Sequence, residues 1–194
     1  MEQPYLLAAG CLKCPRRVRE RNHIVHGYGD PAARVMFVGT APDSEGANQT
    51  GVPWTRSLAG QHMQVILQAL RLRTASDPSD EQPRIIGAYL THMVRCGSHN
   101  DDEPTDVEIG NCAAYLWHEI ELIKPRIIVA VGAAPTRLLC AKLMHIIPGD
   151  VAQLHGQTFR IAERLLVPMI DPTVITRAQA HAFARVVAAL LADD

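Results

Sequence analysis

The chain has 194 residues, of which 47% are hydrophobic and 20% are charged, and its formal net charge is −1. This composition is typical of one globular domain, and it excludes a disordered chain or a strongly basic one. No apolar run approaches the roughly 18 residues of a membrane span, and no basic segment precedes the short apolar stretch at the amino end, as in a signal peptide. We expect a single cytoplasmic domain over residues 1–194, monomeric and without a membrane partner.

A pair of cysteines, Cys11 and Cys14, comes first along the chain in the spacing C-x2-C. Cys96 and Cys112 lie far downstream, with fifteen residues between them. Cysteines in a cytosolic chain favour a metal site or a reactive thiol over disulfides. A zinc ribbon would have a second tight pair, whereas a [4Fe–4S] cluster accepts four thiolates from separate loops. Spacing alone leaves three alternatives open: an iron–sulfur cluster, a zinc ion or no metal.

Arginines cluster directly after the cysteine pair, and the members of this cluster are Arg16, Arg17, Arg19 and Arg21. Lysines are few in the whole chain, and guanidinium groups suit bidentate phosphate contacts better than ammonium groups do. The cluster therefore has two interpretations. It forms either a local phosphate-binding face for DNA or an ordinary solvated surface.

Four apolar runs predict buried strands, at residues 34–39, 84–92, 126–132 and 164–170. Helical patterns follow them at residues 58–72, 105–123, 133–146 and 176–192. Strands that alternate with helices predict an α/β fold with a parallel sheet covered on both faces. A short strand at 157–161 would form a hairpin with the last strand. Cys140 lies in the third helical pattern, where we expect a buried small hydrophobe.

Three loops that follow these strands are rich in glycine, proline and polar residues. GTAPDSEGANQTGVPW (39–54) follows the first strand, THMVRCGSHN (91–100) the second and IDPTVITR (170–177) the last. In parallel sheets, the loops at the carboxyl ends of the strands build the ligand site. We therefore predict a ligand site where these three loops meet.

These loops and the cysteines resemble the uracil-DNA glycosylase superfamily, specifically its iron–sulfur families 4 and 5. The first loop is similar to the family 5 pattern G-[LI]-A-P-A-x-x-G-A-N-R-T-G-R-P-F, and Trp54 takes the place of its final aromatic residue. The matching positions are Gly39, Ala41, Pro42, Gly46, Ala47, Asn48, Thr50, Gly51 and Pro53. Residues 94–96, 104–116 and 124–139 also follow the family, so the resemblance covers roughly residues 11–175.

The resemblance implies a three-layer α/β/α fold with a central four-stranded parallel sheet. It also implies a structural [4Fe–4S] cluster held by Cys11, Cys14, Cys96 and Cys112, and no diffusible cofactor. The implied activity is base excision, in which DNA is the partner, one nucleotide is flipped out and its N-glycosidic bond is hydrolysed. The glycine-rich loop would then contact the base and sugar, and Trp54 would stack on the base. The residues that would bind the substrate are Gly39, Thr40, Ala41, Pro42, Trp54 and His92.

Three positions depart from the family pattern. His92 stands where related enzymes have an asparagine that hydrogen-bonds the pyrimidine, and its ring offers one donor and one acceptor in a different geometry. Asp171 replaces the histidine of the H-P-S motif, where a carboxylate opposes the negative charge that builds up on the leaving base. Thr40 replaces a family 4 acid. These departures weaken a plain uracil pocket, unless His92 is an ordinary strand-end residue and Asp171 a helix cap.

New carboxylates appear in the first loop, because Asp43 and Glu45 stand where the family 5 pattern has no acid. A positioned carboxylate can orient a water molecule and stabilise an oxocarbenium-like sugar. We expect Asp43 to take this role first and Glu45 second, and Asn48 and Asp171 complete the candidate catalytic residues. The alternative for Asp43 is an acid that faces solvent.

Three functions are compatible with these residues. The first is a DNA glycosylase for a modified or damaged pyrimidine, in DNA repair or in defence against phage DNA with modified bases. The second is an ordinary uracil or hypoxanthine glycosylase. The third is a catalytically silent relative that binds DNA without cutting it.

Overall fold

The computed structural model describes residues 10–74, 77 and 79–193. Strands and helices alternate along most of this part of the chain. The strands are β1 (Tyr28–Gly29), β2 (Val35–Gly39), β3 (Ala88–His92), β4 (Ile127–Val131), β5 (Phe159–Ile161) and β6 (Arg164–Met169). The helices are α1 (Pro15–Glu20), α2 (Ala47–Thr50), α3 (Leu58–Ala69), α4 (Asp106–Ile123), α5 (Ala133–Leu143), α6 (Val151–Leu154) and α7 (Arg177–Ala192).

The strands form one sheet in the order β1-β3-β2-β4-β6-β5. The four central strands pair in parallel, and Val35 of β2 lies opposite Ala88 in β3 and Ile127 in β4. Almost every residue of these four strands is buried, as in parallel sheets whose two faces are covered by helices. The predicted α/β fold with a parallel core is confirmed.

The sheet nevertheless has six strands rather than the four that we expected. β1 and β5 are added at the two edges, where each pairs antiparallel with its neighbour, β3 and β6 respectively. β1 could not be predicted, because a strand of two residues shows no periodicity. β5 is the hairpin strand expected near residues 157–161.

The second predicted strand, at residues 84–92, is shorter than expected because β3 begins at Ala88. Gly87 has a φ of +69°, a left-handed conformation that glycine adopts without steric cost. The residues before it pair elsewhere, since Ile85 forms an isolated bridge with Arg73 and the Ile86 N–H donates to the carbonyl of Leu72 at 2.9 Å. The apolar run at residues 84–92 is therefore divided between β3 and the isolated bridge of Ile85 with Arg73.

Hydrophobic side chains pack on both faces of the sheet. Phe37 of β2 lies in one cluster and its neighbour Met36 in the other, because successive side chains of a strand point to opposite faces. The first cluster takes its helical members from α3 and α7, and the second takes them from α4 and α5. This arrangement confirms three layers, and Cys140, 1% exposed, is buried in the second cluster as predicted.

Three long helices begin with side-chain caps near the carboxyl ends of the strands. Ser57 accepts a hydrogen bond from the Gly60 N–H at the start of α3. Thr105 and Thr176 form capping boxes at the starts of α4 and α7, which satisfy backbone N–H groups that would otherwise lack partners. In the described part of the chain, no helix is both long and apolar enough to cross a membrane.

Candidate functional site

A cleft of about 520 Å³ opens at the carboxyl ends of the parallel strands. The predicted site residues that line it are Gly39, Thr40, Ala41, Pro42, Asp43, Glu45, Trp54, His92 and Asp171. The loops come together beside Gly132, because a Cβ built on this glycine would lie 3.5 Å from Asp171 Oδ2 and 3.9 Å from Thr40 Oγ1. The structure thus brings nine of the ten predicted catalytic and substrate-binding residues to one cleft.

Asp43 organises the first loop. Its Oδ1 accepts a hydrogen bond from the Ala47 N–H at 2.7 Å, and its Oδ2 accepts one from the Ser57 hydroxyl. Burial raises the pKa of Asp43, and these hydrogen bonds only partly oppose the increase. The carboxyl group lines the cleft, so Asp43 is not the solvent-facing acid of the alternative interpretation.

Gly46 is a glycine because the loop closes tightly around it. A Cβ at this position would lie 2.6 Å from the carbonyl oxygen of Thr55 and 2.7 Å from Ser57 Oγ. These distances are shorter than van der Waals contact, and backbone atoms cannot move away as a flexible side chain can. Asp43 Oδ1 would lie closer still to this Cβ, so the loop is shaped partly around its own Asp43.

Asn48 does not line the cleft. Its side chain is 1% exposed, its Oδ1 accepts a hydrogen bond from the Asn22 N–H at 3.0 Å, and its Nδ2 donates to the carbonyl of Glu20 at 3.4 Å. These contacts tie the first loop to the segment after α1. A catalytic role for Asn48 therefore finds no support in its position.

Trp54 and His92 form an aromatic pair on the cleft wall. Their ring centroids are 4.8 Å apart and the planes are inclined by 37°. Gly39 makes room for both rings, because a Cβ there would lie 2.6 Å from the Trp54 ring and 2.9 Å from the His92 ring. The sequence pattern that predicted a stacking face at Trp54 is consistent with this position.

The imidazole of His92 is uncharged at physiological pH. Burial, followed by the nearby Arg95 guanidinium, lowers the pKa of His92 to about 3. The side chain is 3% exposed, and its Nδ1 has no hydrogen-bond partner. A buried ring nitrogen without a partner is unfavourable unless a water molecule or a ligand supplies one.

Asp171 holds a turn directly after β6. Its Oδ1 accepts hydrogen bonds from the Thr173 N–H at 2.8 Å and the Thr173 hydroxyl at 2.7 Å. The cap of α7 is Thr176, so Asp171 does not cap that helix as the alternative interpretation had it. Its second oxygen, Oδ2, lies on the side of Gly132 and the cleft.

Further acids complete the rim and were not predicted as site residues. Asp101, Asp102 and Glu103 all line the cleft, and Asp101 accepts hydrogen bonds from the N–H and the hydroxyl of Ser44 at 2.6 and 2.9 Å. These residues form an acidic stretch of the sequence just before α4. Nothing in their spacing indicated that the loop before α4 folds against the first loop.

A separate cavity brings the four predicted metal ligands together, since Cys11, Cys14, Cys96 and Cys112 all line it. Three N–H groups approach their sulfur atoms. Arg21 Nη1 lies 3.2 Å from Cys96 Sγ, Asn111 Nδ2 lies 3.6 Å from Cys14 Sγ and the Arg95 N–H lies 3.4 Å from Cys112 Sγ. Such donors are the usual surroundings of metal-bound thiolates.

The four thiols line one cavity but are not placed around a single ion. Zinc requires ligand atoms roughly 2.0–2.3 Å from one point, and in the described residues no three or more His, Cys, Asp or Glu side chains are so arranged. Four cysteines from separate segments are the ligand set of a [4Fe–4S] cluster. Cys140 lies in the core, away from this cavity.

The arginines after the first cysteine pair do not form the free phosphate-binding face that we considered. Arg17 is 1% exposed and its Nε lies 3.3 Å from Glu108 Oε2. Arg16 also pairs with Glu108, at 2.8 Å, and with Asp102 at 3.2 Å. Burial tends to raise the pKa of Glu108, but the arginine contacts prevail and lower it to about 2. Arg19 alone of the four is exposed.

A buried ion pair lies between the cysteine cavity and the sheet. Arg95 Nη2 is 2.6 Å from Glu119 Oε2, and Glu119 also accepts hydrogen bonds from Tyr89 and Thr91 at 3.0 and 2.7 Å. The sequence indicates this ion pair only through Glu119, a glutamate on the apolar side of the helix predicted at residues 105–123. The pair holds β3 against α4 just before Cys96.

Comparison with known proteins agrees with this geometry. Residues 26–193 match the family described as "Uracil DNA glycosylase superfamily". A type-5 uracil-DNA glycosylase of Thermus thermophilus is 34% identical over 152 residues, which are 68% of this chain and 68% of that protein.

Two further relatives come from archaea. A type-5 uracil-DNA glycosylase of Pyrobaculum aerophilum is 32% identical over 63% of this chain and 61% of its own length. A type-4 uracil-DNA glycosylase of Sulfurisphaera tokodaii is 32% identical over 69% of this chain and 54% of its own length. The chain thus spans about two thirds or less of these three relatives. With the family match over most of its length, it belongs to the uracil-DNA glycosylase superfamily, a family of DNA glycosylases, which hydrolyse the N-glycosidic bond.

Proposed function

We propose that the protein is a DNA glycosylase that flips out a modified or damaged pyrimidine and hydrolyses its N-glycosidic bond. The observation that carries this proposal is the joint position of His92 and Asp171 in the cleft where the glycine-rich loop also ends. Both residues differ from the family pattern at positions that would touch the base. The pocket is therefore built from the family's loops with different polar groups.

The reaction that this cleft supports begins with the extruded base against the Trp54 and His92 rings. The bond between C1′ and the base nitrogen breaks, its electron pair leaves with the base, and the sugar acquires oxocarbenium character. A water molecule then adds to C1′ and releases a proton. The products are a free base and an abasic site in DNA.

Asp43 is our first candidate for the group that orients this water. It lines the cleft on a rigid loop, and each carboxylate oxygen keeps a lone pair beyond the hydrogen bond that it already accepts. Glu45 is the second candidate, on an exposed part of the same loop. Positioned carboxylates stabilise an oxocarbenium-like sugar in glycosidases by the same electrostatic effect.

We also propose that Cys11, Cys14, Cys96 and Cys112 hold a structural [4Fe–4S] cluster. When bound, the cluster supplies cross-links between the amino-terminal segment, the end of β3 and α4, and it takes no part in the hydrolysis. The four thiols around one cavity and the three N–H groups directed at them support this assignment. No diffusible cofactor is required.

DNA is the partner in this proposal, the monomer is the active form and the cytoplasm is the compartment. Removal of a damaged base would serve DNA repair, and removal of a modified phage base would serve defence. Both roles use the same cleft and the same bond cleavage.

The second candidate function is that of an ordinary uracil or hypoxanthine glycosylase. It is favoured by the relatives, which are named as type-4 and type-5 uracil-DNA glycosylases. Under this candidate, the changes at His92 and Asp171 are compensated elsewhere in the cleft.

An abasic-site assay over duplexes that each contain one modified, damaged or normal pyrimidine, or hypoxanthine, tests these functions. We expect release of at least one modified or damaged pyrimidine to exceed that of uracil. Faster release of uracil or hypoxanthine than of any modified pyrimidine would favour the second candidate. Specific binding without any release would instead indicate the catalytically silent relative.

A further inference from the structure

Six of the residues that line the cleft are acidic, and one of them, Asp102, is already paired with Arg16 at 3.2 Å. The six acidic members are Asp43, Glu45, Asp101, Asp102, Glu103 and Asp171. Among the described residues that line the cleft, the only cationic side chain is that of Arg17, and Glu108 already pairs with it at 3.3 Å. The lining therefore favours positive charge in the cleft and opposes the build-up of negative charge.

Asp171 places one of these carboxylates beside Gly132 and Thr40. One oxygen holds Thr173, and the other would lie 3.5 Å from a Cβ built on Gly132, which would also lie 3.9 Å from Thr40 Oγ1. A neutral base such as uracil would leave as an anion beside this carboxylate, which raises the energy of the transition state. A base that is cationic before cleavage would leave as a neutral molecule, and the positive charge that Asp171 attracts would stay in the cleft, on the sugar, in the transition state.

His92 provides an independent indication that a polar ligand binds here. Its side chain is 97% buried and lines the cleft, and its Nδ1 has no hydrogen-bond partner. The ring is neutral, so it does not repel a cation. Trp54 packs against it with a centroid distance of 4.8 Å, and the faces of aromatic rings attract cationic groups.

We propose that the natural substrate of this cleft is a cationic base, a pyrimidine alkylated on a ring nitrogen, of which 3-methylcytosine is the simplest example. The inference rests on the proposed glycosylase function and specifies its substrate class. The methylated ring nitrogen gives the base its positive charge at neutral pH, and the damage also prevents Watson–Crick pairing, which lowers the cost of flipping.

The electron balance of the reaction agrees with an acidic cleft. When the C1′–N1 bond breaks, its electron pair neutralises the base, and the positive charge passes to the sugar. Water adds to C1′ and gives its proton to a carboxylate or to solvent. The cleft holds one positive charge until that step, so no anion forms beside Asp171.

The test uses duplexes that differ in one nucleotide: 3-methylcytosine, 5-methylcytosine, cytosine or uracil. Each is placed opposite cytosine, so that none forms a Watson–Crick pair. We expect 3-methylcytosine to be released at least about tenfold faster than its neutral isomer 5-methylcytosine, as one good polar contact to a base discriminates at this level. Asp171→Asn should lower release of 3-methylcytosine by about tenfold without lowering release of uracil.

Glu163→Gln is the control, because it also removes one carboxylate but lies in the turn between β5 and β6, at the opposite end of β6. It should change neither rate. If Asp171→Asn does not fold, an exposed acid of the cleft rim permits the same test through Glu103→Gln. Release of uracil or 5-methylcytosine but not of 3-methylcytosine would overturn the cationic substrate and leave the glycosylase function standing. Release of no base from these duplexes or from the wider panel would overturn the glycosylase function itself.

Discussion

Asp43 holds the first loop through hydrogen bonds and also lines the cleft. The variant Asp43→Asn tests the role of its charge apart from its role in the loop. Asparagine keeps an oxygen for the Ala47 N–H and loses the negative charge. We expect excision of every base to fall by about a hundredfold, the lower range for loss of a general base, while DNA binding is retained. Single-turnover rates and fluorescence anisotropy measure the two effects, and an unchanged rate would transfer the role to Glu45.

The pH dependence of the wild type provides a second measure of Asp43. The ionised carboxylate is the active form, and burial raises its pKa above the ordinary value of about 3.9. Activity should therefore be complete above the raised pKa and decline as pH falls through it, at a higher pH than for an exposed aspartate. A profile of kcat/KM against pH locates this decline, which should be absent in Asp43→Asn.

His92 and Asp171 determine the preference for the base, according to our proposal. The double variant His92→Asn, Asp171→His restores the family residues, and we expect it to raise uracil release and lower release of the native base. Each contact contributes roughly 1–3 kcal/mol of discrimination, so the ratio should change by a few powers of ten. Efficient uracil release by the wild type, unaffected at either position, would show that these residues are incidental to specificity.

The conformation of the first loop requires a residue without a side chain at position 46. Gly46→Ala places a methyl group against the Thr55 carbonyl and Ser57, and we expect the free energy of unfolding to fall by roughly 1–3 kcal/mol. Gly110→Ala is the control, because this exposed glycine of α4 has no atom near its added Cβ. It should gain up to about 1 kcal/mol from helix propensity. If Gly46→Ala and Gly110→Ala changed the free energy of unfolding equally in thermal or urea unfolding, the loop would not be closely packed around Gly46.

The cysteine cavity links three elements, so we expect loss of one ligand to affect stability more than chemistry. We expect the wild type to be brown and to contain iron, and Cys96→Ala to lack both and to unfold more easily, while any folded fraction keeps its base preference. Cys140→Ala removes a thiol of the core instead and should retain iron. Iron analysis and visible absorbance of anaerobically purified protein are the measurements, and stoichiometric zinc without iron would disprove the cluster.

The charge of the whole molecule places a limit on DNA binding, because a net charge of −1 and an acidic cleft leave only local cations for phosphates. Arg16 and Arg17 are committed to Glu108. Arg19 and Arg56 are exposed, and Arg56 directly precedes the cleft residue Ser57.

We therefore expect Arg19→Gln and Arg56→Gln to weaken binding to all duplexes about equally. Each should reduce the slope of log affinity against log salt by about one. Arg160→Gln, on the outer strand β5, is the control and should have no effect. Altered base preference in either test variant would mean that the arginine contacts the base.

The sequence by itself determined the layers and the place of the cleft. Apolar runs of four strands and the periodicity of α3, α4, α5 and α7 are local properties, and so the parallel core was predictable. The cysteines and the three loops identified the four thiols of one cavity and nine of the residues that line the cleft. These residues could be predicted as site residues from their chemical type and from the rule that loops at the carboxyl ends of parallel strands meet.

Only the tertiary structure decided which partners the polar groups have. Asn48 and Asp43 belong to the same matched loop, yet one is a buried tether and the other lines the cleft. Arg17 is buried beside Glu108, and Asp101 reaches Ser44 across 57 positions of sequence. Hydrogen bonds and ion pairs form between groups brought together by packing, so their partners, and with them the acidic character of the cleft, depend on long-range contacts that no local pattern contains.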